Sequence, residues 1–227
     1  PDVILCSYTA ELADQIQTKT GTPTVAVAMG TLFGEDYDTA LRILGDVCGV
    51  QGRAEDVIAY IDDSLQDLAA RSAGAPMTDK PTVLGAAATF KGAHGIEGVY
   101  SKYPVFQAVA ANDVTEGISE TVGGVLIDKE QVLMWDPQYV FLDSGGVELV
   151  RVDYAANPGF YAELAAVQQG NVYQYPSSTS YYSNVEIPIV NSYYVASLLY
   201  PEQFADLAFE DKANDIFRFF LGVDGYL

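Results

Sequence analysis

Apolar positions along the chain follow two rhythms, short continuous runs and stripes at helical spacing, and the two alternate. Val3–Cys6 is a short run of the buried-strand kind. Residues 9–20 carry a helical pattern, with Thr9 placed to cap its start and Gly21 to stop it. Pro23 leads into a second run, Thr24–Ala28. Strand, helix and strand at this length are the βα unit of a parallel sheet. Tyr37, Ala40, Leu41, Leu44 and Val47 then share one helical face, and Gly49 and Gly52 interrupt it. Ala54, Val57, Ile58, Ile61, Leu65 and Leu68 resume the stripe to about Arg71, where Ser72-Ala73-Gly74-Ala75-Pro76 stops it. Roughly 35 helical residues without a strand exceed an ordinary crossover and read as a spacer between two lobes.

The alternation returns after Lys80. The pattern predicts strands at Thr82–Ala87, Tyr139–Asp143 and Val172–Tyr175. It predicts helices at Tyr103–Ala110, Asp128–Trp135, Phe160–Gln168, 186–200 and 210–221, with Pro188 tolerated only in the first turn of its helix. The organisation is α/β: the remainder of an N-terminal lobe over 1–35, a long helical connector over 36–79, and a fuller α/β lobe over 80–227.

Composition narrows the function. Apolar residues are 49% of the chain, enough for a sizeable core and too many for a disordered segment. No apolar run is long enough to cross a bilayer. With 31 acidic and 11 basic residues the formal charge is -20. Such a surface repels nucleic-acid phosphates and anionic lipid head groups. Cys6 and Cys48 are the only thiols and are expected to be buried and free. His94 is the single histidine, so a multi-histidine metal site is excluded and any catalytic triad must be built on it. The opening Pro1-Asp2-Val3-Ile4-Leu5-Cys6 runs straight into a core strand, with no basic or apolar leader. It predicts a piece or processed product of a longer protein, whose leader this chain lacks.

Four segments could carry chemistry. Ala88-Thr89-Phe90-Lys91-Gly92-Ala93-His94-Gly95 follows a predicted strand, and parallel α/β sheets bind ligands beyond the carboxyl ends of their strands. Phe90 offers a stacking face, Lys91 a cation and His94 a metal ligand; alternatively this is a surface loop in which His94 caps a carbonyl. The tyrosine-rich stretch 173–184 follows another strand. Tyr181, Tyr182 and Asn184 are candidate ligand residues there, since phenols pair a flat apolar face with a hydroxyl and suit a metal chelate or macrocycle. Tyr193, Tyr194 and Tyr200 read as helical core. Asp143-Ser144-Gly145-Gly146 is a weaker candidate, because such a glycine pair is also simply a turn. Asp128-Lys129-Glu130-Gln131 has the form of a capping box, with Glu130 favoured by the helix dipole. No phosphate loop, dinucleotide fingerprint or G-x-S-x-G elbow is present.

Taken in order, these segments resemble the solute-binding proteins of ABC importers for iron complexes, the class that also binds siderophores, haem and cobalamin. The resemblance rests on Pro1-Asp2-Val3-Ile4-Leu5, on Phe90-Lys91-Gly92-Ala93-His94-Gly95-Ile96-Glu97 with Tyr103-Pro104, and on residues 128–141. It continues through Asn184-Val185-Glu186, Leu199-Tyr200-Pro201-Glu202-Gln203-Phe204 and Phe219-Phe220-Leu221-Gly222. It implies two Rossmann-like α/β lobes joined by a long helix, the first lobe incomplete here, with the ligand held between them. It implies an extracytoplasmic protein, periplasmic or anchored as a lipoprotein, that captures an iron(III) complex and delivers it to a membrane permease. It assigns Glu130 to docking on permease arginines, with a counterpart before Pro1. Corrinoids and molybdate or tungstate are alternative ligands; the -20 charge argues mildly against a small oxyanion, although Lys91 could serve one locally.

A binding protein without catalytic residues or a resident cofactor is therefore expected. The competing classes are an α/β enzyme using His94 as acid or base and a purely structural interaction domain. Open edges on the strands near 3–28 predict self-association or poor order of that region.

Overall fold

The computed structural model describes residues 1–74, 80–177 and 184–223. The chain divides into two compact units, Pro1–Ser64 and Leu65–Leu227. In the first unit, β1 (Ile4–Cys6), α1 (Ala10–Thr20) and β2 (Thr24–Ala26) form the expected βαβ unit, with parallel pairing Ile4↔Thr24, Leu5↔Val25 and Cys6↔Ala26. The Thr9 hydroxyl accepts from Leu12 N at 3.4 Å, and Gly21 closes the helix at φ 69°. Next come α2 (Glu35–Cys48), which Gly49 ends at φ 69°, and α3 (Gln51–Ser72). A Cβ on Gly45 would lie 2.7 Å from the Ala54 Cβ, so the missing side chain lets α2 and α3 approach. The cysteines are free but not buried as expected: Cys6 is half-buried and Cys48 exposed, because Cys48 closes α2 where its apolar stripe has run out.

The second unit is built on a mixed sheet. In chain order its elements are β3 (Thr82–Ala86), β4 (Gly98–Ser101), α4 (Pro104–Ala108), β5 (Asn112–Asp113), β6 (Gly123–Leu126), α5 (Lys129–Trp135) and β7 (Tyr139–Asp143). There follow α6 (Val147–Ala156), α7 (Pro158–Glu163), α8 (Ala165–Gln169), β8 (Val172–Tyr175), α9 (Glu186–Leu199) and α10 (Phe209–Leu221). The strand order is β6-β4-β3-β7-β8, with β5 pairing the start of β3. β3, β7 and β8 are parallel, whereas β4 runs antiparallel to both of its neighbours, β3 and β6. Central strands are buried on both faces, as Val83, Leu84 and Phe141 show, which is why they read as continuous apolar runs. Helix α9 is rich in apolar residues and largely buried in the core, with Tyr193 fully buried and the polar Asn191 and Ser192 hydrogen-bonded there. At the C-terminal end of α3, Arg71 grips Asp67 and Asp206, and the Tyr193 hydroxyl donates to Asp67 at 2.8 Å.

Three local expectations change. The single helix expected over Phe160–Gln168 is two, because Leu164 is extended (φ -74°, ψ 127°) and spends its side chain in the core. Asp128 occupies the N-cap of α5, but its side chain makes no capping bond, so no capping box forms. β4, β5, β6 and α6 have no counterpart in the pattern of apolar positions.

Asp113 supplies a pH-dependent term. Burial pushes its carboxyl up to about 6, against hydrogen bonds from Thr115 N and Oγ1 that hold it down. A carboxyl raised in the folded state holds its proton longer than in the unfolded chain, so this term weakens stability as pH rises from about 4 to 6. Asp113→Asn keeps an oxygen for both Thr115 donors. It is expected to be more stable than the parent at pH 7, by about 1 kcal/mol, and equal to it at pH 4, in urea denaturation followed at both pH values. A variant less stable at pH 7 would contradict this.

Candidate functional site

The loops leaving the carboxyl ends of β3, β7 and β8 meet at one edge of the sheet. Past β3, Ala87 takes a left-handed conformation at φ 58° and turns the chain. Thr89 and Ala93 bridge across a tight turn in which Phe90 N donates to Gly92 O at 2.9 Å. Lys91 (φ 49°) and Gly92 (φ 124°) form its tip, and the Lys91 side chain is exposed there. The strain of a left-handed lysine is held by the bridge on either side.

Phe90 and His94 leave this turn as an aromatic pair, ring centroids 4.2 Å apart and planes tilted by 34°. Two glycines seat them. A Cβ on Gly124 of β6 would lie 1.9 Å from the Phe90 ring, and one on Gly98 of β4 would lie 2.3 Å from the His94 Cβ. The pair thus lies on bare backbone. His94 Nε2 is 2.8 Å from the Phe90 carbonyl. A carbonyl only accepts, so Nε2 carries the hydrogen. The carbonyl-capping alternative for His94 is therefore realised in the geometry, together with the stacking face.

Beneath the turn lies a buried polar relay. Thr89 N donates to the Tyr100 hydroxyl at 3.2 Å, and that hydroxyl donates to Asp143 Oδ2 at 2.6 Å. Asp143 Oδ1 accepts from Gly145 N at 2.7 Å and from Thr89 Oγ1 at 3.4 Å. Burial first, then the Asp143 charge, raises the Tyr100 pKa far above its ordinary value, so the phenol stays a neutral donor. Tyr175, fully buried beside Tyr103, is raised for the same first reason. Gly146 is wedged between segments: a Cβ there would lie 2.2 Å from His94 O and 2.3 Å from Ala87 O. Ser144 joins the third loop, its N donating to Tyr175 O at 3.0 Å and its Oγ accepting from Ser177 N at 2.9 Å. Asn191 of α9 holds Pro176 O at 3.0 Å, and its own buried Oδ1 has no partner among the described residues.

Phe90, Lys91 and His94 are therefore brought together by one turn. Tyr181 and Tyr182 lie outside the described residues. Asn184 is exposed, and its carbonyl accepts from Ile187 N at 3.1 Å. Glu130 stands apart, exposed in the first turn of α5 with no ion pair among the described residues. Tyr193 and Tyr200 are buried and Tyr194 half-buried, as a core reading requires. The Asp143–Gly146 segment, rated weakly in the sequence, is the keystone of the loop cluster. Tyr100, Gly124 and Asn191 escaped sequence reading, since nothing local marks a residue whose partner is remote. Among the described residues no three His, Cys, Asp or Glu side chains gather as metal ligands.

The sequence matches the family described as periplasmic binding protein over residues 1–179. The chain belongs to that family. A periplasmic binding protein of this kind serves solute uptake through an ABC transporter outside the cytoplasm and is not an enzyme, which overturns the acid–base alternative for His94. The fold recurs in a periplasmic solute binding protein from Veillonella parvula, 22% identical with a TM-score of 0.77, over 99% of this chain and 67% of that one. It recurs in the molybdate periplasmic binding protein MolA of Haemophilus influenzae, solved with molybdate, at 18% identity and a TM-score of 0.75 over 99% and 73% of the two chains. Helicobacter pylori CeuE, solved with Ni(II), is 15% identical with a TM-score of 0.70 over 99% and 70%. No curated protein sequence matches the chain. No described helix is long and apolar enough to cross a membrane.

Proposed function

We propose that this periplasmic binding protein captures an iron(III) complex, a ferric siderophore, haem or related chelate, with the loop cluster as one wall of its site. The observation that carries this reading is the Phe90–His94 pair lying on Gly124 and Gly98, beside the exposed cation of Lys91. A fixed aromatic surface suits a large polarizable chelate, and a neighbouring ammonium suits the net negative charge of many ferric complexes. Tyr181, Tyr182 and Asn184 belong to the proposed site as further contributors.

The second reading is a small oxyanion, favoured by the likeness to MolA with its molybdate. Calorimetric titration of the metal-free chain with a ferric catecholate, a ferric hydroxamate, haemin, molybdate and Ni(II)–histidine separates these. A ferric chelate or haemin should bind with micromolar or better affinity, and Phe90→Ala and Lys91→Ala should each weaken it by about tenfold or more. Binding of molybdate alone would overturn the chelate reading in favour of the oxyanion.

Delivery to an ABC permease is proposed to use Glu130. Its carboxylate is unpaired among the described residues, and Met134, one turn further along α5, is 78% exposed on the same side. Glu130→Lys should change stability by less than about 0.5 kcal/mol and leave ligand affinity intact. It should abolish uptake in the intact transporter, because a permease arginine would meet a like charge. Uptake at the parental rate would remove Glu130 from the docking surface. Lipoprotein anchoring is part of the same proposal. Exposed Leu5, Leu12 and Met29 support self-association through the first unit, which sedimentation at rising concentration would test.

A further inference from the structure

The β7-to-β8 crossover leaves an apolar groove that the chelate reading does not use. One continuous helix could cover both strands, but here the crossover is three short helices. It breaks at Asn157 (φ -130°, ψ 54°) and at the extended Leu164. A groove of about 510 Å³ remains, with Val140 and Leu142 of β7, Val172 of β8, and Val147 and Val150 of α6 among its walls. That volume is in the range of small-molecule sites, about 300–1,000 Å³. The groove shares no residue with the Phe90–His94 turn or with Glu130.

Its charge pattern is unlike the rest of the molecule. The chain carries 31 acidic residues, yet none of those described lines this groove. Among the described residues its one charged member is Arg151, exposed on α6 and without an ion pair among them. Elsewhere in this unit, Arg71 and Lys129 are held by carboxylates. A guanidinium with no ion pair among the described residues, lining a largely apolar groove, offers a carboxylate a paired, charge-assisted hydrogen bond and offers an alkyl chain an apolar wall.

We infer that this groove is a second binding site, for an amphiphile with one anionic head and an unbranched alkyl tail, such as a free fatty carboxylate. The head pairs with Arg151 and the tail lies along Val150, Leu142 and Val172 towards Leu164.

Calorimetry of the full chain with dodecanoate, below its micellar concentration, tests this, with dodecyltrimethylammonium as the cation of the same tail. Dodecanoate should bind at one saturable site. The cation should bind more weakly, although non-specific attraction to a chain of charge -20 would favour it. Arg151→Gln, a change at an exposed helix position, should weaken dodecanoate by about tenfold, as loss of one charge-assisted bond does. Val172→Asp should abolish binding by placing a carboxylate against the tail. Phe90→Ala should leave dodecanoate binding unchanged, which keeps this site distinct from the chelate wall. Absence of saturable binding, preference for the cation, or parental affinity in Arg151→Gln would each overturn the inference.

Discussion

Gly146→Ala is expected to destabilise the second unit by about 3 kcal/mol, the top of the usual range for inserting a methyl group into a filled space. The new Cβ would lie 2.2 Å from one carbonyl oxygen and 2.3 Å from another, on His94 and Ala87. Both are backbone atoms, so neither can swing aside as a side chain would. The two contacts sit on opposite ends of the 87–94 loop, and relieving both means lifting that loop off the sheet. Ligand affinity should therefore fall with stability. Gly159→Ala is the control: in α7 its Cβ would meet nothing within 4 Å, and it should be neutral or stabilising by about 0.5 kcal/mol. Urea unfolding followed by Trp135, the only tryptophan, reads the second unit directly. Equal midpoints for the two variants would show that Gly146 is not a point of close packing.

Asp143→Leu should cost more, about 4 kcal/mol, because it strands the Tyr100 hydroxyl and the Gly145 amide that now donate to a fully buried carboxylate. For a unit of this size that corresponds to a fall in melting temperature of roughly 10 °C. Asp143→Asn keeps Oδ1 for Gly145, and the Tyr100 hydroxyl can turn to accept from the new amide, so about half the loss should return. Adding Tyr100→Phe to Asp143→Leu removes the orphaned donor and should also recover part of the loss. The recovery is incomplete, because Thr89 N then loses its acceptor. The double-mutant cycle should give a coupling of at least about 1 kcal/mol. Strict additivity would mean that the relay from Thr89 through Tyr100 to Asp143 carries no shared energy.

Much of the architecture was legible along the chain. β7 and β8 lie at the residues the apolar runs predicted, and α1 has the Thr9 and Gly21 ends read from its flanking residues. These are local effects: burial on both faces makes a strand continuously apolar, and capping is chemistry within one turn. β4 and β6 were missed because Gly98, Gly123 and Gly124 dilute their apolar pattern. Two of these glycines exist for a neighbour, since Gly98 and Gly124 leave room for His94 and Phe90. The division of the crossover into α7 and α8 was illegible for a similar reason, Leu164 giving up helical geometry to reach the core.

By itself, the sequence determined the alternation of strands and helices, a charge of -20 that disfavours nucleic acid, and the loop on which Phe90, Lys91 and His94 stand. Short-range sterics, capping and net charge depend on residues near one another in the chain or on their sum, so no folded structure is needed to read them. Only the tertiary structure decided that Asp143, Tyr100 and Thr89 form one relay, that Gly146 is wedged beneath the 87–94 loop, and that Arg151 lines a largely apolar groove with no carboxylate among the described residues. Each of these depends on groups brought together from separate strands and loops. Their worth is set by burial and distance, which exist only once the sheet has formed.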